Sequence, residues 1–450
     1  MSSPLDISRL RRWVAIVLAT PSTALRAIAF LSAGVLIAAC GDESSSRVAD
    51  ARSPQYGVRD SAGIRIAENP RPVPDSRLGW VVSAEPQVSI GNVEGESAYQ
   101  LHRVADATRL ADGRIVVANG GSLELLVFDA EAIHLDSWGG RGEGPGEFEG
   151  LNRVRRWAGD SLIAADPEQG RISIFDGEGS HGRTAVLHAQ GGSGGLLAKV
   201  ADAVRSVGTI GPVTADDLIG VLPDGTLFTW DFDVFATVGF GRREHSYALR
   251  TVDGDTRFSL GKHPGPPTYT ENYNAGRGFV FIPLRHPFGQ TTHAAVWGEL
   301  AVIGRTESYE LQGFRSDGSL ARIVRRDYEP GTPTRAEQDA YFRGMVAEYT
   351  EERRRRVAEV AANVPLVDAF PAFGAVIGDA LGNLWVAEFK RPGDEYRGAL
   401  WTVFDGDGRM LGLVDTPEIL TVFEIGEDYI LGEGTDELGV EYVRTWRLTR

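Results

Sequence analysis

The feature that most constrains this chain is a short pattern that recurs six times. A turn containing Gly beside an acidic or amide residue is followed by an apolar run of about five residues, rich in β-forming side chains. The copies read "ADGRIVVANG" from Ala111, "GDSLIAADP" from Gly159, "PDGTLFTW" from Pro223, "GELAVIGR" from Gly298, "GNLWVAEF" from Gly382 and "GEDYILGEG" from Gly426. A recurring unit of this kind predicts an all-β chain in which each copy adds one small sheet.

Two further elements follow several of these runs. The first is a strand that ends in a Phe-Asp-Gly type of turn, as in "LELLVFDAE" from Leu123, "RISIFDGEG" from Arg171 and "ALWTVFDGDG" from Ala399. Asp and Gly supply the positive φ angles of tight turns, so these segments indicate hairpins. The second is a Ser-apolar-Gly triplet, at Ser89–Gly91, Ser137–Gly139 and Ser259–Gly261.

The triplet at 89–91 precedes every repeat, so its strand needs a partner. The last repeat, which ends in "VEYVRTWRLTR", is one strand short. A ring of radial sheets closes when an N-terminal strand completes the last sheet. We therefore predict a six-bladed β-propeller that is closed by the strand "PQVSIG" from Pro86, with Val88 near Trp446.

The glycine-rich segment "GGRGEGPGEFEG", residues 139–150, at first resembles a nucleotide-binding loop. No G-x-G-x-x-G or Walker pattern fits it, and Glu143 and Glu147 would repel an anion. The similar context of "SIGNVEGESAYQLHRV" from Ser89 favours a connection between two neighbouring sheets.

These segments resemble a known family. "GRGEGPGEFEGLNRV" followed by "GDSLIAADPEQGRISIFDGEG" is similar to the NHL-type repeat. The whole series, over roughly residues 60 to 450, resembles the six-bladed, NHL- and TolB-like β-propeller lipoproteins of bacteria. The resemblance implies a fold rather than an activity. The third repeat departs from the regular pattern, because "DFDVFATVGFGRREHSYAL" is long.

One segment has helical periodicity. Thr334 and Glu337 are spaced for a capping box, and Phe342, Val346, Tyr349, Val357, Val360 and Val364 recur on one helical face. We expect one helical insertion over residues 333–364, between blades 4 and 5. The run Arg353–Arg356 is interpreted as a solvated helix face, with partner docking as the alternative.

The N-terminus has the organisation of a bacterial lipoprotein. Arginines precede an apolar run that ends in "IAAC", in which Cys40 is the only cysteine of the chain. We predict a signal peptide over 1–39, lipidation at Cys40, a flexible tether over 40–62 and the propeller over 63–450. A transmembrane anchor or an ordinary cleaved signal is the alternative, although the apolar run is short for a span.

Composition excludes some partners. The net charge of −16 disfavours nucleic acid and anionic membrane surfaces, so membrane attachment is expected through the lipid alone. We expect a monomer on the periplasmic or outer-membrane face of the cell envelope, with no cofactor and no metal. His181 with His188, and His286 with His293, match no metal-ligand spacing.

A catalytic motif, G-x-S-x-G, occurs at Gly191–Gly195 with Ser193 at its centre. The chain lacks the alternating strands and helices that this motif requires, so we interpret the segment as a flexible insert and assign no catalytic residue. Two tetrads are candidates for a ligand site at the channel mouth: Leu101-His102-Arg103-Val104 and Leu151-Asn152-Arg153-Val154. Arg285 and His286 are a third candidate pair.

Converging guanidinium groups favour a carboxylate, phosphate or sulfate. Pairing of each arginine with a neighbouring acid is the alternative. The sequence favours a non-catalytic module that binds a small anionic ligand or an envelope protein. A propeller enzyme, such as a lactonase, lyase or hydrolase with its site at the channel mouth, is the second hypothesis.

Overall fold

The fold is seen in a computed structural model that describes residues 56–73, 75–187, 217–232, 238–274, 279–347, 349–394, 398–419, 421–436 and 438–450. Strands dominate these residues and pair into six sheets. Within the described ranges, no helix is both long and apolar enough to cross a membrane.

The bounds of the elements are as follows. The N-terminal segment contains β1 (Gly57–Ser61), β2 (Ile64–Asn69), β3 (Val81–Val82) and β4 (Val88–Ile90). Sheet 1 contains β5 (Val104–Arg109), β6 (Ile115–Asn119), β7 (Glu124–Phe128) and β8 (His134–Gly139). Sheet 2 contains β9 (Arg153–Arg156), β10 (Leu162–Asp166), β11 (Arg171–Phe175) and β12 (His181–Val186). Sheet 3 contains β13 (Asp217–Val221), β14 (Leu227–Phe232), β15 (Gly239–Arg250), β16 (Thr256–Asn274) and β17 (Phe279–Arg285).

Sheet 4 contains β18 (Thr292–Trp297), β19 (Leu300–Arg305), β20 (Glu310–Phe314) and β21 (Leu320–Arg326). Two helices follow, α1 (Arg335–Met345) and α2 (Glu351–Ala362). Sheet 5 contains β22 (Ala375–Gly378), β23 (Leu384–Ala387), β24 (Ala399–Phe404) and β25 (Met410–Thr416). Sheet 6 contains β26 (Thr421–Ile425), β27 (Tyr429–Thr435) and β28 (Glu441–Thr449).

The six recurrent apolar runs of the sequence are the second strands of the six sheets. They correspond to β6, β10, β14, β19, β23 and β27. The first strands of successive sheets lie side by side, from β5 through β9, β13, β18 and β22 to β26, and β26 again contacts β5. The sheets are therefore arranged radially around a central channel, which is the arrangement of a β-propeller.

The core is divided among the interfaces between neighbouring sheets. Side chains alternate between the two faces of each strand. In β10, for example, Leu162 packs toward sheet 1, whereas Ile163 packs toward sheet 3. Each of the six neighbouring sheet pairs, including sheets 6 and 1, shares one buried apolar cluster. Burying one such side chain contributes roughly 1.5–3 kcal/mol, so these clusters hold the sheets together.

The N-terminal segment spans the outer edges of three sheets. The hairpin β1–β2 adds to sheet 4, with β2 parallel to β21, and Leu78 then bonds to Leu413 of sheet 5. Strands β3 and β4 both pair with β28, and Val88 lies opposite Thr445. The expected pairing of the N-terminal strand with the last repeat is thus present. The sequence placed residues 57–61 in the tether, whereas they form β1.

The glycine-rich segment connects β8 to β9. Gly139 has a φ of 86°, and a Cβ there would lie 2.5 Å from the ring of Phe148, so the tight turn requires glycine. Arg171 donates hydrogen bonds to the backbone carbonyls of Glu143, Gly144 and Glu147. Arg171 thus satisfies backbone carbonyl groups of the loop from within the protein, which agrees with the interpretation of the loop as a connection.

The helical segment forms a pair of helices rather than one continuous helix. The capping box of Thr334 and Glu337 begins α1, and Thr350 caps α2. Arg354 donates hydrogen bonds to the backbone carbonyls of Val346, Ala347 and Tyr349, and so provides donors for the carbonyl groups of the turn between the helices. The predicted apolar face of both helices packs on Leu284 of β17. The helices therefore lie against sheet 3.

Candidate functional site

A cleft of about 930 Å³ lies between the helix pair and the propeller. One wall is the end of β17, around Arg285. A second wall is formed by α1 and α2, with Tyr341, Tyr349, Arg353 and Arg356. The floor is formed where sheets 4 and 5 begin, and includes His293 and Phe373. We call this cavity the helix-side cleft.

The helix-side cleft is cationic. Arg285, Arg353 and Arg356 line it, and none of its described lining residues is acidic. The Arg353 guanidinium lies 4.4 Å from the ring centroid of Tyr349, which fixes its position without neutralising its charge. Within the described part of the chain, Arg285 and Arg353 form no ion pair. A cleft of this charge and volume favours an anion.

Two histidines lie at the cleft, and they differ in their available nitrogens. His286 is buried, its Nε2 lies 2.9 Å from the Pro365 carbonyl, and its Nδ1 accepts from the Phe288 amide. These bonds assign the proton to Nε2, because the carbonyl is an acceptor and the amide is a donor. Burial lowers the pKa of His286. This imidazole therefore joins β17 to the segment after α2.

His293 lies on the floor of the cleft. Burial, followed by the positive charge of Arg285, lowers the pKa of His293 to about 4. Its ring packs near Phe373, with 5.9 Å between the centroids. The imidazole is therefore neutral at physiological pH, and it adds hydrogen-bonding capacity to the cleft without adding charge.

A second cavity, of about 730 Å³, is the central channel, and all six first strands line it. Its polar side lies at β5, β9 and β26. Arg155 pairs with the fully buried Asp106, and Arg156 lies 3.5 Å from Glu424. Glu424 also accepts hydrogen bonds from Thr108 and Tyr429. The charges on this wall are thus neutralised across the junction of sheets 6, 1 and 2.

The two tetrads are not in register. Arg103 precedes β5, is exposed and has a φ of 56°, whereas Arg153 is the first residue of β9 and pairs with Ala165. Arg103 lies six residues before Arg109, which pairs with the first residue of β6, whereas Arg153 lies three residues before Arg156, which pairs with the first residue of β10. A β-bulge after Val104 accounts for one of the three extra residues. The expectation that these arginines occupy equivalent positions is wrong for this reason.

The other residues of the tetrads make contacts of different kinds. Asn152 donates to Asp217 at 3.0 Å, and the Arg153 Nε lies 4.0 Å from the same carboxylate. His102 is exposed, and its backbone amide donates to the Asn119 side chain. Asn152 and Arg153 thus share an acidic neighbour, as the alternative interpretation of the sequence expected. Their role in ligand binding stays a prediction.

Of the predicted site residues, Arg285 and His286 lie in the helix-side cleft, and the tetrads do not line it. Arg353 and Arg356 were interpreted as a solvated face, but they line the cleft as well. The feature of the sequence that could have identified them is the unusual density of arginine on a short helix.

Cys40, His188 and Ser193 lie outside the described residues. Within the ranges that are described, no cluster of His, Cys, Asp or Glu could hold a metal ion.

No family model and no curated protein matches this chain. Solved structures do match it. A protein of Bacteroides fragilis that is described as exported has a TM-score of 0.43 and 10% identity, covering 86% of this chain and 100% of its own. Virginiamycin B lyase from Staphylococcus aureus has a TM-score of 0.36 and 7% identity, covering 82% of this chain and 99% of its own.

Regucalcin from Agrobacterium tumefaciens, described as a calcium-binding protein, has a TM-score of 0.33 and 13% identity, with 85% and 96% covered. All three TM-scores are below 0.5. The strand pairing of this chain therefore carries the fold assignment, and the chemistry of the cleft carries the functional one.

Proposed function

We propose that this protein is a lipid-anchored, six-bladed β-propeller of the bacterial cell envelope that binds a small anionic ligand in its helix-side cleft. Each of the six sheets is one blade, and the helix pair is an insertion between blades 4 and 5. The order of the first strands around the channel and the shared apolar cluster between sheets 6 and 1 support the closed ring.

The observation that carries the binding proposal is the pair Arg285 and Arg353 in a cleft without an acidic side chain among its described lining. A guanidinium group offers several donors in one plane, which suits carboxylate and phosphate. Tyr341, Tyr349 and Phe373 add apolar surface beside these charges. Arginine binds an anion but does not exchange protons at neutral pH, and both His286 nitrogens are already bonded. The pKa of His293, lowered to about 4, makes this imidazole a weak base, so we favour binding over catalysis.

Titration calorimetry with benzoate, butyrate and inorganic phosphate tests this function, with benzamide as the neutral counterpart. We expect benzoate to bind at least about tenfold more tightly than benzamide, because a charge-assisted hydrogen bond contributes roughly 1.5–3 kcal/mol. Arg285→Ala and Arg353→Ala should each weaken benzoate about tenfold or more. Arg315→Ala is the matched control, since Arg315 is an exposed arginine in the β20–β21 turn.

Two results would contradict this function. One is the absence of measurable binding of any of these anions to the wild-type protein. The other is unchanged affinity in both cleft variants. For the anchoring proposal, the motivation is the sequence "IAAC" at residues 37–40. Mass spectrometry of the mature protein should find an acylated Cys40 at the N-terminus, and an unmodified start elsewhere would refute it.

A further inference from the structure

The central channel has an apolar side opposite its neutralised arginines. Ile219 of β13, Ala294 and Val296 of β18, and Ala375 and Ile377 of β22 line it. All five are only half-buried, although they lie on the innermost strands. Apolar surface that faces water is unfavourable, and an apolar guest that covers it gains free energy. This side of the channel is therefore suited to a hydrocarbon.

The linings of the helix-side cleft and the channel are adjacent along the chain at two places. In β18, His293 lines the cleft, and the next residue, Ala294, lines the channel. At β22 the same relation holds for Gly374, which precedes the strand, and Ala375, its first residue. The cationic lining and the apolar lining are thus one residue apart at two adjacent strands, although no described residue lines both cavities.

We infer that the ligand is an elongated amphipathic anion, whose charged head binds at Arg285 and Arg353 and whose unbranched alkyl chain enters the central channel along β18 and β22. This inference rests on the proposed function and adds the ligand class. The charge of the head complements the arginines. The small side chains of Ala294 and Ala375 leave the channel open for a narrow chain.

The polar wall of the channel does not compete for the head. Arg155 and Arg156 already face Asp106 and Glu424, so a carboxylate gains little by moving there. Arg285 and Arg353, in contrast, have no acidic partner in the described chain. The orientation follows from this difference, with the head in the cleft and the tail in the channel.

Titration calorimetry with a series of alkyl carboxylates, from butyrate to dodecanoate below the concentrations at which they form micelles, tests the inference. The affinity should rise about fourfold for each methylene group until the chain fills the channel, since each buried methylene contributes that factor. Ala294→Phe should abolish the dependence on chain length and leave benzoate binding intact. Ala158→Phe, in an exposed turn after β9, is the matched control.

A second measurement protects the test against a misfolded variant. Decanoate with a diazirine at its end, photolysed on the wild-type protein, should label peptides that contain β18 or β22. Labelling confined to other segments would overturn the inference. So would an affinity that is independent of chain length while benzoate still binds, and that result would leave the proposed function standing. If no anion binds at all, the proposed function fails first.

Discussion

The arginines of the central channel and those of the helix-side cleft differ in their partners. Arg155 and Arg156 lie on one strand and are neutralised by Asp106 and Glu424. Arg285 and Arg353 lie on a strand end and a helix, and they face aromatic rings and a neutral histidine. The same residue type therefore joins sheets in one cavity and leaves a positive charge available in the other.

An arginine near a propeller channel is therefore not evidence for a ligand site until its partners are known. A buried, paired arginine is costly to disturb, because removing the acid leaves an uncompensated charge. An exposed arginine without an acid can be removed at small cost in stability. Mutations in the channel pairs should therefore lower stability, whereas mutations of the cleft arginines should weaken anion binding and change stability little.

The largest expected effect is on the channel pair. Asp106→Asn keeps the shape of the side chain but removes the charge that faces Arg155, and Asp106 is fully buried. We expect a loss of about 3–5 kcal/mol in the free energy of unfolding, measured by urea denaturation. Asp415→Asn is the matched control, since its pair with Arg77 is about half-exposed and should cost at most about 1 kcal/mol. Equal losses in the two variants would remove the distinction between the cavities.

The next effect is acid sensitivity on the cleft side. The pKa of His293 is lowered to about 4 in the folded protein, mainly by burial and then by Arg285. In the unfolded chain it is about 6.5, so the unfolded state binds more protons between these values. The contribution of His293 to stability is therefore fully present above about pH 6.5 and is lost as the pH falls toward 4.

His293 alone should account for about 3 kcal/mol of this loss, from the difference between the two pKa values. His245, whose pKa burial and the charges of Arg243 and Arg285 also lower to about 4, acts in the same direction. Urea denaturation at several pH values should show a shallower dependence in His293→Gln. An unchanged slope in that variant would mean that this imidazole binds its proton with the same pKa in the folded and the unfolded state.

Much of the fold could be predicted because its signal is local and repeated. The Gly-containing turns and apolar runs fix the second strand of every sheet, and the unpaired strand at Val88 indicates the closure. The helix pair was less predictable, because the break near Val346 depends on Arg354 folding back onto the preceding turn. Strand β1 (Gly57–Ser61) was missed because its hairpin with β2 is held on sheet 4 by the pairing of β2 with β21, whose residues are far away in sequence.

The site was harder to predict, because it depends on which side chains meet across three sheets. The similar tetrads made Arg103 and Arg153 look equivalent, but sheet 1 has three more residues than sheet 2 between this arginine and the second strand, one of them in the bulge of β5. Arg285 was a candidate from its sequence context alone. Its proximity to Arg353 requires the helices to pack on Leu284 of β17, which no short pattern records.

The smallest expected effect concerns a single residue of the cleft, Arg285. Arg285→Ala removes an exposed cation with no ion pair in the described chain, so its free energy of unfolding should change by no more than about 0.5 kcal/mol at pH 7. The same change should raise the pKa of His293 from about 4, because the charge of Arg285 disfavours the imidazolium. The pKa should stay below its usual value, since burial is the larger cause. NMR titration of the imidazole protons measures this shift, with Arg315→Ala as the distant control. A pKa that does not move would place the Arg285 guanidinium away from the cleft floor, and the head of the ligand with it.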